Sequence, residues 1–249
     1  MIDLPWTTIV AAGAAVTLGY TVYGLTGFGA TIVALPLLAH FLALRFAVPM
    51  MLVFDLGAGL MLGLKDRKLT SRAELLRLLP FLLVGMAVGV TLLARAPERW
   101  LLMVLGAFVL GYASWSLLGK AASAIISPRW AIPAGLVGGG FTALYGTGGP
   151  IYVIYLARRL PDKAVLRASI GVLIFGTACL RLVLFTSSGL YAQPGLLALA
   201  FTLLPCALAG YLIGSRLHLR LAAHQAAKAV WLLLIAGGTS LLWRSWGMP

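Results

Sequence analysis

The chain has 249 residues, of which 61% are hydrophobic and only 10% are charged. A soluble domain carries roughly 25% charged residues, so this composition excludes an ordinary soluble domain. The net charge of +13 does not indicate nucleic-acid binding, because the basic residues are sorted by loop rather than gathered on one face.

Long apolar runs predict a polytopic membrane protein built from α-helices. No Asp, Glu, Lys or Arg occurs between Asp3 and Arg45, a stretch about twice the roughly 20 residues that one spanning helix needs. Because an acid stands at Asp3 and no small-x-small cleavage site follows, we expect this run to be retained. Further apolar runs cover about 46–64, 79–94, 100–119, 130–157, 168–186, 195–215 and 229–243.

Two glycine-rich breaks interrupt these runs at similar places. The first reads Gly24-Leu-Thr26-Gly27-Phe-Gly29-Ala-Thr31, and the second reads Leu144-Tyr145-Gly146-Thr147-Gly148-Gly149-Pro150. Glycine admits backbone angles closed to other residues, and proline suits the first turn of a helix. We therefore predict helices that begin near Ala30 and near Pro150, and hairpins whose tips stop inside the membrane.

The distribution of basic residues predicts the topology. If the loops alternate sides, one side receives 14 Lys or Arg and the other receives 4, so the first side is predicted to be cytoplasmic. The cytoplasmic set comprises Lys65, Arg67, Lys68, Arg72, Arg77, Lys120, Arg129, Arg158, Arg159, Lys163, Arg167, Arg216, Arg220 and Lys228. Both termini and the uncharged segment 186–194 are then predicted to lie outside.

The two halves of the chain look duplicated. The spacing of Pro80, Gly85, Gly89 and Arg95 recurs in the second half, beginning at Pro205. The number of positions that separates matching residues of the two halves increases along the chain from 119 to 125 to 131. We predict repeats at 1–122 and 123–249, each a glycine-broken hairpin followed by three transmembrane helices, giving 8–10 segments. The five basic residues of 65–77 have no counterpart in 186–194, so the repeats are predicted to be inverted, as is typical of secondary transporters.

The breaks and two buried charges are the candidate functional residues. Helix starts at the breaks would present unpaired N–H groups and partial positive charge, which suits a small anion. Asp55 is a candidate for a coupling proton and Arg181 for binding an anion. The alternatives are an ion pair between Asp55 and Arg181, a structural hydrogen bond for Asp55, and snorkelling of Arg181 to the membrane surface. The candidate substrate-binding residues are Gly24, Thr26, Gly27, Gly29, Thr31, Tyr145, Gly146, Thr147, Gly148, Gly149, Pro150 and Arg181.

Other function classes find no support in the residues. The chain has no phosphate-binding lysine motif and no cluster with metal-ligand spacing, so we expect neither an enzyme nor a cofactor or metal. The remaining alternatives are a secondary transporter, an anion channel of similar architecture, or a membrane scaffold subunit without transport.

The two motifs also carry a family resemblance. Tyr23-Gly-Leu-Thr-Gly-Phe-Gly-Ala with Leu35-Pro36, and Gly138-Gly-Gly-Phe-Thr-Ala-Leu-Tyr-Gly-Thr-Gly-Gly-Pro150, resemble the paired signatures of the TauE/SafE family. The resemblance implies proton-coupled transport of a small sulfur-containing anion or carboxylate across the bacterial inner membrane, and it leaves the substrate and the oligomeric state open. It implies roles for the motif glycines and Pro150, whereas Thr31 occupies the position of that proline in the first half.

Overall fold

The computed structural model describes residues 5–27, 29–63, 67–118, 125–218 and 223–247. Phe28 of the first motif lies outside the described residues, as do three basic residues of the predicted cytoplasmic set, Lys65, Lys120 and Arg220. The described part is all-helical, as predicted. Its α-helices are α1 (Trp6–Thr26), α2 (Ala30–Leu38), α3 (Leu44–Gly63), α4 (Arg72–Arg95), α5 (Glu98–Leu118), α6 (Ala131–Tyr145), α7 (Gly149–Ala157), α8 (Lys163–Ser187), α9 (Leu196–His218) and α10 (Ala223–Trp246).

The predicted order of elements is confirmed. In each half two helices separated by a glycine break precede three long helices. Helices α2 and α7 have nine residues each, so each is only about 13 Å long against a hydrocarbon core of about 30 Å. Among the described residues, five helices are long and apolar enough to cross a membrane: α1, α4, α5, α8 and α9.

The helices group into two compact units that do not follow chain order. Unit 1 comprises Met1–Met50, Ala96–Lys120 and Gln193–Pro249, and unit 2 comprises Met51–Arg95 and Ala121–Ala192. Unit 1 therefore contains α1, α2, α5, α9 and α10, whereas unit 2 contains α4, α6, α7 and α8. Each unit combines helices from both predicted repeats.

In unit 2, glycines of α4 let this helix pack closely against α6. A Cβ atom added at Gly85 would collide with the carbonyl oxygen of Leu136, and one added at Gly89 would lie 2.6 Å from the carbonyl oxygen of Gly140. Small residues allow such close backbone approach between membrane helices.

In unit 1, the same construction joins α9 to α1. A Cβ atom at Gly210 would collide with the carbonyl oxygen of Thr17, and one at Gly214 would collide with that of Thr21. Gly210 and Gly214 of α9 lie 125 positions after the two glycines of α4. The residues that they meet on α1 lie 119 positions before the residues that the α4 glycines meet on α6. The internal packing of the two units thus repeats with the offsets at which the sequence motifs recur.

Candidate functional site

The second glycine break lies between α6 and the N-terminus of α7, in unit 2. Helix α6 ends at Tyr145, the chain reverses through Gly146 with a left-handed φ of 69°, and α7 begins at Gly149 with Pro150 in its first turn. The N–H groups of Gly148 and Gly149 donate to no other residue in the described part of the chain. The helix start near Pro150 is as predicted, and its free donors and dipole favour an anion.

Gly148 is held against α6 with no room for a side chain. An added Cβ would collide with the hydroxyl oxygen of Thr142 and would lie 2.5 Å from the carbonyl oxygen of Gly138. The Thr142 hydroxyl donates to that carbonyl at 2.7 Å and lies 3.0 Å from the hydroxyl of Tyr152. The buried Thr142–Tyr152 hydrogen bond therefore joins α6 to α7 beside the break.

Thr147 supplies a buried hydroxyl at the break. Its residue is 2% exposed, and its Oγ1 has no hydrogen-bond partner among the described residues. A buried polar group without a partner is costly unless something satisfies it.

Arg181 on α8 is the buried cation of unit 2. One of its terminal nitrogens, Nη2, lies 3.0 Å from Oδ2 of Asp55 on α3, so the structure pairs the two predicted membrane charges. The residue is 3% exposed, and its Nε and Nη1 have no partner within the described chain. A guanidinium carries five N–H donors, so those on Nε and Nη1 remain available to a ligand.

Two tyrosines lie within electrostatic reach of Arg181. The charge acts on the hydroxyl of Tyr152, in the first turn of α7, and on that of Tyr191, in the turn between α8 and α9. Burial, with a smaller contribution from Asp55, raises the pKa of Tyr191 to about 12 although Arg181 opposes the shift. Tyr191 therefore stays protonated near neutral pH.

The first break lies in unit 1 and is built differently. Gly27 and Gly29 have left-handed φ values of 80° and 88°, and α2 begins at Ala30 as predicted. The Thr26 hydroxyl already donates to the carbonyl oxygen of Val22 at 2.9 Å, and Thr31 is buried in α2. A cavity of about 200 Å³ beside this break is lined partly by Thr26, Gly29, Tyr112, Ser116 and Trp231.

Gly24 lies inside α1 rather than in the break. An added Cβ would lie 2.5 Å from the carbonyl oxygen of Tyr211 and 2.7 Å from the N–H nitrogen of Ser215, both on α9. Its position therefore serves close packing of α1 on α9. The predicted site residues Gly146 to Pro150 and Arg181 belong to unit 2, as does Tyr145, which is fully buried.

Sequence reasoning missed a further buried charge in unit 2, besides Asp55 and Arg181. Glu74, at the start of α4, is 4% exposed and accepts hydrogen bonds from Arg77 at 2.6 Å, Arg159 at 2.8 Å and the Tyr155 hydroxyl at 2.6 Å. Glu74 lies just outside an apolar run, and two of its partners are more than 80 positions away. Thr142 and Tyr152 were also missed, although each lies only two residues outside the glycine motif.

Comparison with known proteins now identifies the family. A family model described as sulfite exporter TauE/SafE matches residues 11–241. The chain belongs to this family. It is therefore a membrane transporter, as the family resemblance predicted. It is also 30% identical over 203 residues to the probable inner membrane transporter protein TsaS of Comamonas testosteroni, covering 78% of this chain and 83% of that protein. No solved structure matches the chain significantly.

Proposed function

We propose that this TauE/SafE family member is a secondary transporter that carries a small anion across the bacterial inner membrane. The proposed substrate class is sulfite, an organosulfonate or a related sulfur-containing or carboxylate anion. Two findings support it: the family is described as sulfite exporters, and a relative is named as an inner membrane transporter. A third finding is the buried guanidinium of Arg181 in unit 2, whose Nε and Nη1 atoms have no hydrogen-bond partner among the described residues.

The proposed anion site in unit 2 is formed by Arg181 and the start of α7. The observation that carries it is that Nε and Nη1 of Arg181 and the hydroxyl of Thr147 are all buried without partners in the described chain. The free N–H groups of Gly148 and Gly149 are donors of the same kind. Oxygen atoms of a sulfonate, sulfite or carboxylate would satisfy such donors.

Asp55 is proposed to carry the coupling proton. Its carboxylate is bound to Arg181 at 3.0 Å, and its side chain is 15% exposed. Protonation would weaken the hold of Asp55 on Arg181 and free the guanidinium for the substrate. Arg181 also acts electrostatically on the hydroxyls of Tyr152 and Tyr191, and Asp55 acts on that of Tyr191.

Alternating access by two inverted repeats, 1–122 and 123–249, is proposed as the transport mechanism, with both termini outside. The equivalent packing of α4 on α6 and of α9 on α1 supports the duplication. The first break, with Thr26, Gly27, Gly29 and Thr31, is proposed as the counterpart of the second break in the other repeat, and Gly24 lies just before it inside α1. Cysteine-accessibility labelling of 65–77 and 186–194 tests the orientation, and labelling of both segments from one side of the membrane would refute it.

The test of the anion site is Arg181→Lys. Lysine keeps the positive charge for Asp55 but loses the Nε and Nη1 donors, so the ion pair survives while anion recognition is lost. We expect sulfite and organosulfonates to stabilise the wild-type protein against heat, since a ligand that binds the folded state raises its melting temperature. The variant should lose that shift and at least tenfold in flux into proteoliposomes.

Arg167→Lys is the matched control, because Arg167 lies exposed near the start of the same helix. It should keep both the ligand-induced shift and the flux. Wild-type flux and an unchanged shift in Arg181→Lys would refute the proposed anion site.

A further inference from the structure

An open groove of about 270 Å³ lies between α6 and α7 in unit 2. Its walls are almost entirely apolar, and its mouth is open to the outside of the chain, since Trp130 is 58% and Val137 is 49% exposed. The residues that line the groove include Ile126, Trp130, Val137, Ile154, Tyr155 and Arg158. In a membrane protein, a groove of this composition is suited to hydrocarbon.

One end of the groove carries an unpaired cation. Arg158 is half-buried in its wall, and its guanidinium forms no hydrogen bond or ion pair with the rest of the described chain. Trp130, an amphipathic side chain typical of the membrane interface, lines the same groove. The groove is therefore apolar along its length and positive at one end.

Hydrogen bonds hold the walls of this groove in place. Arg159 donates to the carbonyl oxygen of Ile126 at 2.9 Å and to Glu74 at 2.8 Å. The hydroxyl of Tyr155 also donates to Glu74 at 2.6 Å. The shape of the groove is thus built into the fold rather than produced by loosely packed surface side chains.

Arg158 has no basic counterpart in the first half of the chain. At the offset of 119 that relates the two glycine breaks, Arg158 corresponds to Ala39 and Trp130 to Ala11. Arg158 belongs to the basic segments that the charge distribution assigns to the cytoplasmic side, where the leaflet is rich in anionic lipid and basic pockets bind lipid headgroups.

We propose that the α6–α7 groove binds an anionic phospholipid of the cytoplasmic leaflet, with an acyl chain between α6 and α7 and the headgroup phosphate on Arg158. Charge complementarity selects this occupant over a neutral lipid or an apolar peptide. The site lies at the C-terminal end of α7, and the proposed substrate site lies at its N-terminal end about 13 Å away. If the proposed function also holds, the lipid steadies the short helix that carries the substrate donors.

Native mass spectrometry of the detergent-purified protein with added phosphatidylglycerol tests the proposal directly. We expect tightly retained phosphatidylglycerol on the wild type and about fivefold weaker retention on Arg158→Ala, the order expected for one basic residue at the membrane surface. Arg158→Lys should retain the lipid, and Val137→Trp, which fills the groove, should exclude it. Arg167→Ala, which removes an exposed arginine of unit 2 away from the groove, is the matched control and should bind as the wild type does.

Three outcomes would overturn the site. One is equal retention by the wild type, Arg158→Ala and Val137→Trp. Another is equal retention of phosphatidylcholine, which would show that the charge contributes nothing. The third is displacement by millimolar glycerol phosphate, which would indicate a site for a soluble phosphate. Because lipid retention is measured without any transported anion, failure of the proposed transport function would leave this result intact.

Discussion

Replacing Gly148 by alanine tests whether the tight turn before α7 is needed for transport. The added methyl group would collide with the Thr142 hydroxyl and would lie 2.5 Å from the carbonyl oxygen of Gly138. Either Thr142 rotates and gives up hydrogen bonds to Gly138 and Tyr152, or the start of α7 moves away from α6. The first response removes the hydrogen bond that joins α7 to α6, and the second displaces the free N–H groups proposed to bind the anion.

The expected cost combines overpacking and lost hydrogen bonds. Overpacking costs about 1–3 kcal/mol and a lost hydrogen bond about 1 kcal/mol, so with one of the two bonds lost Gly148→Ala should destabilise the protein by roughly 2–4 kcal/mol. For a chain of this size that corresponds to a fall in melting temperature of roughly 5–15 °C. The larger Gly148→Val should abolish transport of sulfite or sulfonate while the protein still inserts into the membrane.

Gly149→Ala is a control one residue away. An added Cβ at Gly149 meets nothing within 4 Å, and alanine is a better helix former than glycine by up to about 1 kcal/mol. Its melting temperature should be unchanged or slightly higher. Melting temperature is measured by thermal unfolding in detergent, and transport is measured by radiolabelled anion uptake into proteoliposomes.

The reasoning fails if Gly148→Ala and Gly149→Ala have the same melting temperature and the same flux. A double variant sharpens the test. Because Thr142→Ala removes the hydroxyl that the new methyl group meets, the combined loss in Gly148→Ala/Thr142→Ala should be smaller than the sum of the two single losses. Additive losses would show that the two side chains do not compete for the same space.

Three further variants probe the rest of the molecule. Glu74→Gln leaves buried donors without their carboxylate, so the melting temperature should fall by an amount equivalent to about 3 kcal/mol; an unchanged melting temperature would contradict a structural role for the cluster. Gly89→Val should destabilise unit 2 by about 2–3 kcal/mol, because the new side chain collides with α6. Gly176→Val is the control and should be tolerated, because nothing lies within 4 Å of an added Cβ there. Equal melting temperatures of the two variants would refute the close packing of α4 on α6. Asp55→Asn should bind the anion without pH dependence and uncouple flux from a pH gradient, and coupled flux in that variant would exclude Asp55 as the proton carrier.

The order of the helices could be predicted from the sequence because each is marked locally. Uninterrupted apolar runs indicate long helices, and glycine or proline at the breaks fixes where α2 and α7 begin. The length of α2 could not be predicted in the same way, because the apolar run of the sequence continues past Leu38, where the helix ends. Periodicity and hydropathy do not distinguish a membrane helix from the apolar turn that follows it.

The grouping of helices into units could not be read from the sequence. Packing of α4 on α6 and of α9 on α1 depends on glycines that meet backbone carbonyls far along the chain, and a single sequence shows only the glycines. The same limit hid the Glu74 cluster, since its main cation, Arg159, is 85 positions away. By contrast, Asp55 and Arg181 were singled out because a charge inside an apolar run is conspicuous without any knowledge of its partner.

Charge balance sets the direction of coupling in the proposed mechanism. Asp55 and Arg181 neutralise each other while they are paired. A bound monoanion would leave a net negative charge in a buried site, and each uncompensated buried charge costs several kcal/mol. A proton taken up by Asp55 removes that excess, so anion and proton bind favourably together and cross the membrane in the same direction. An inwardly directed proton gradient should therefore drive anion uptake into proteoliposomes, and export driven by that gradient would exclude this role for Asp55.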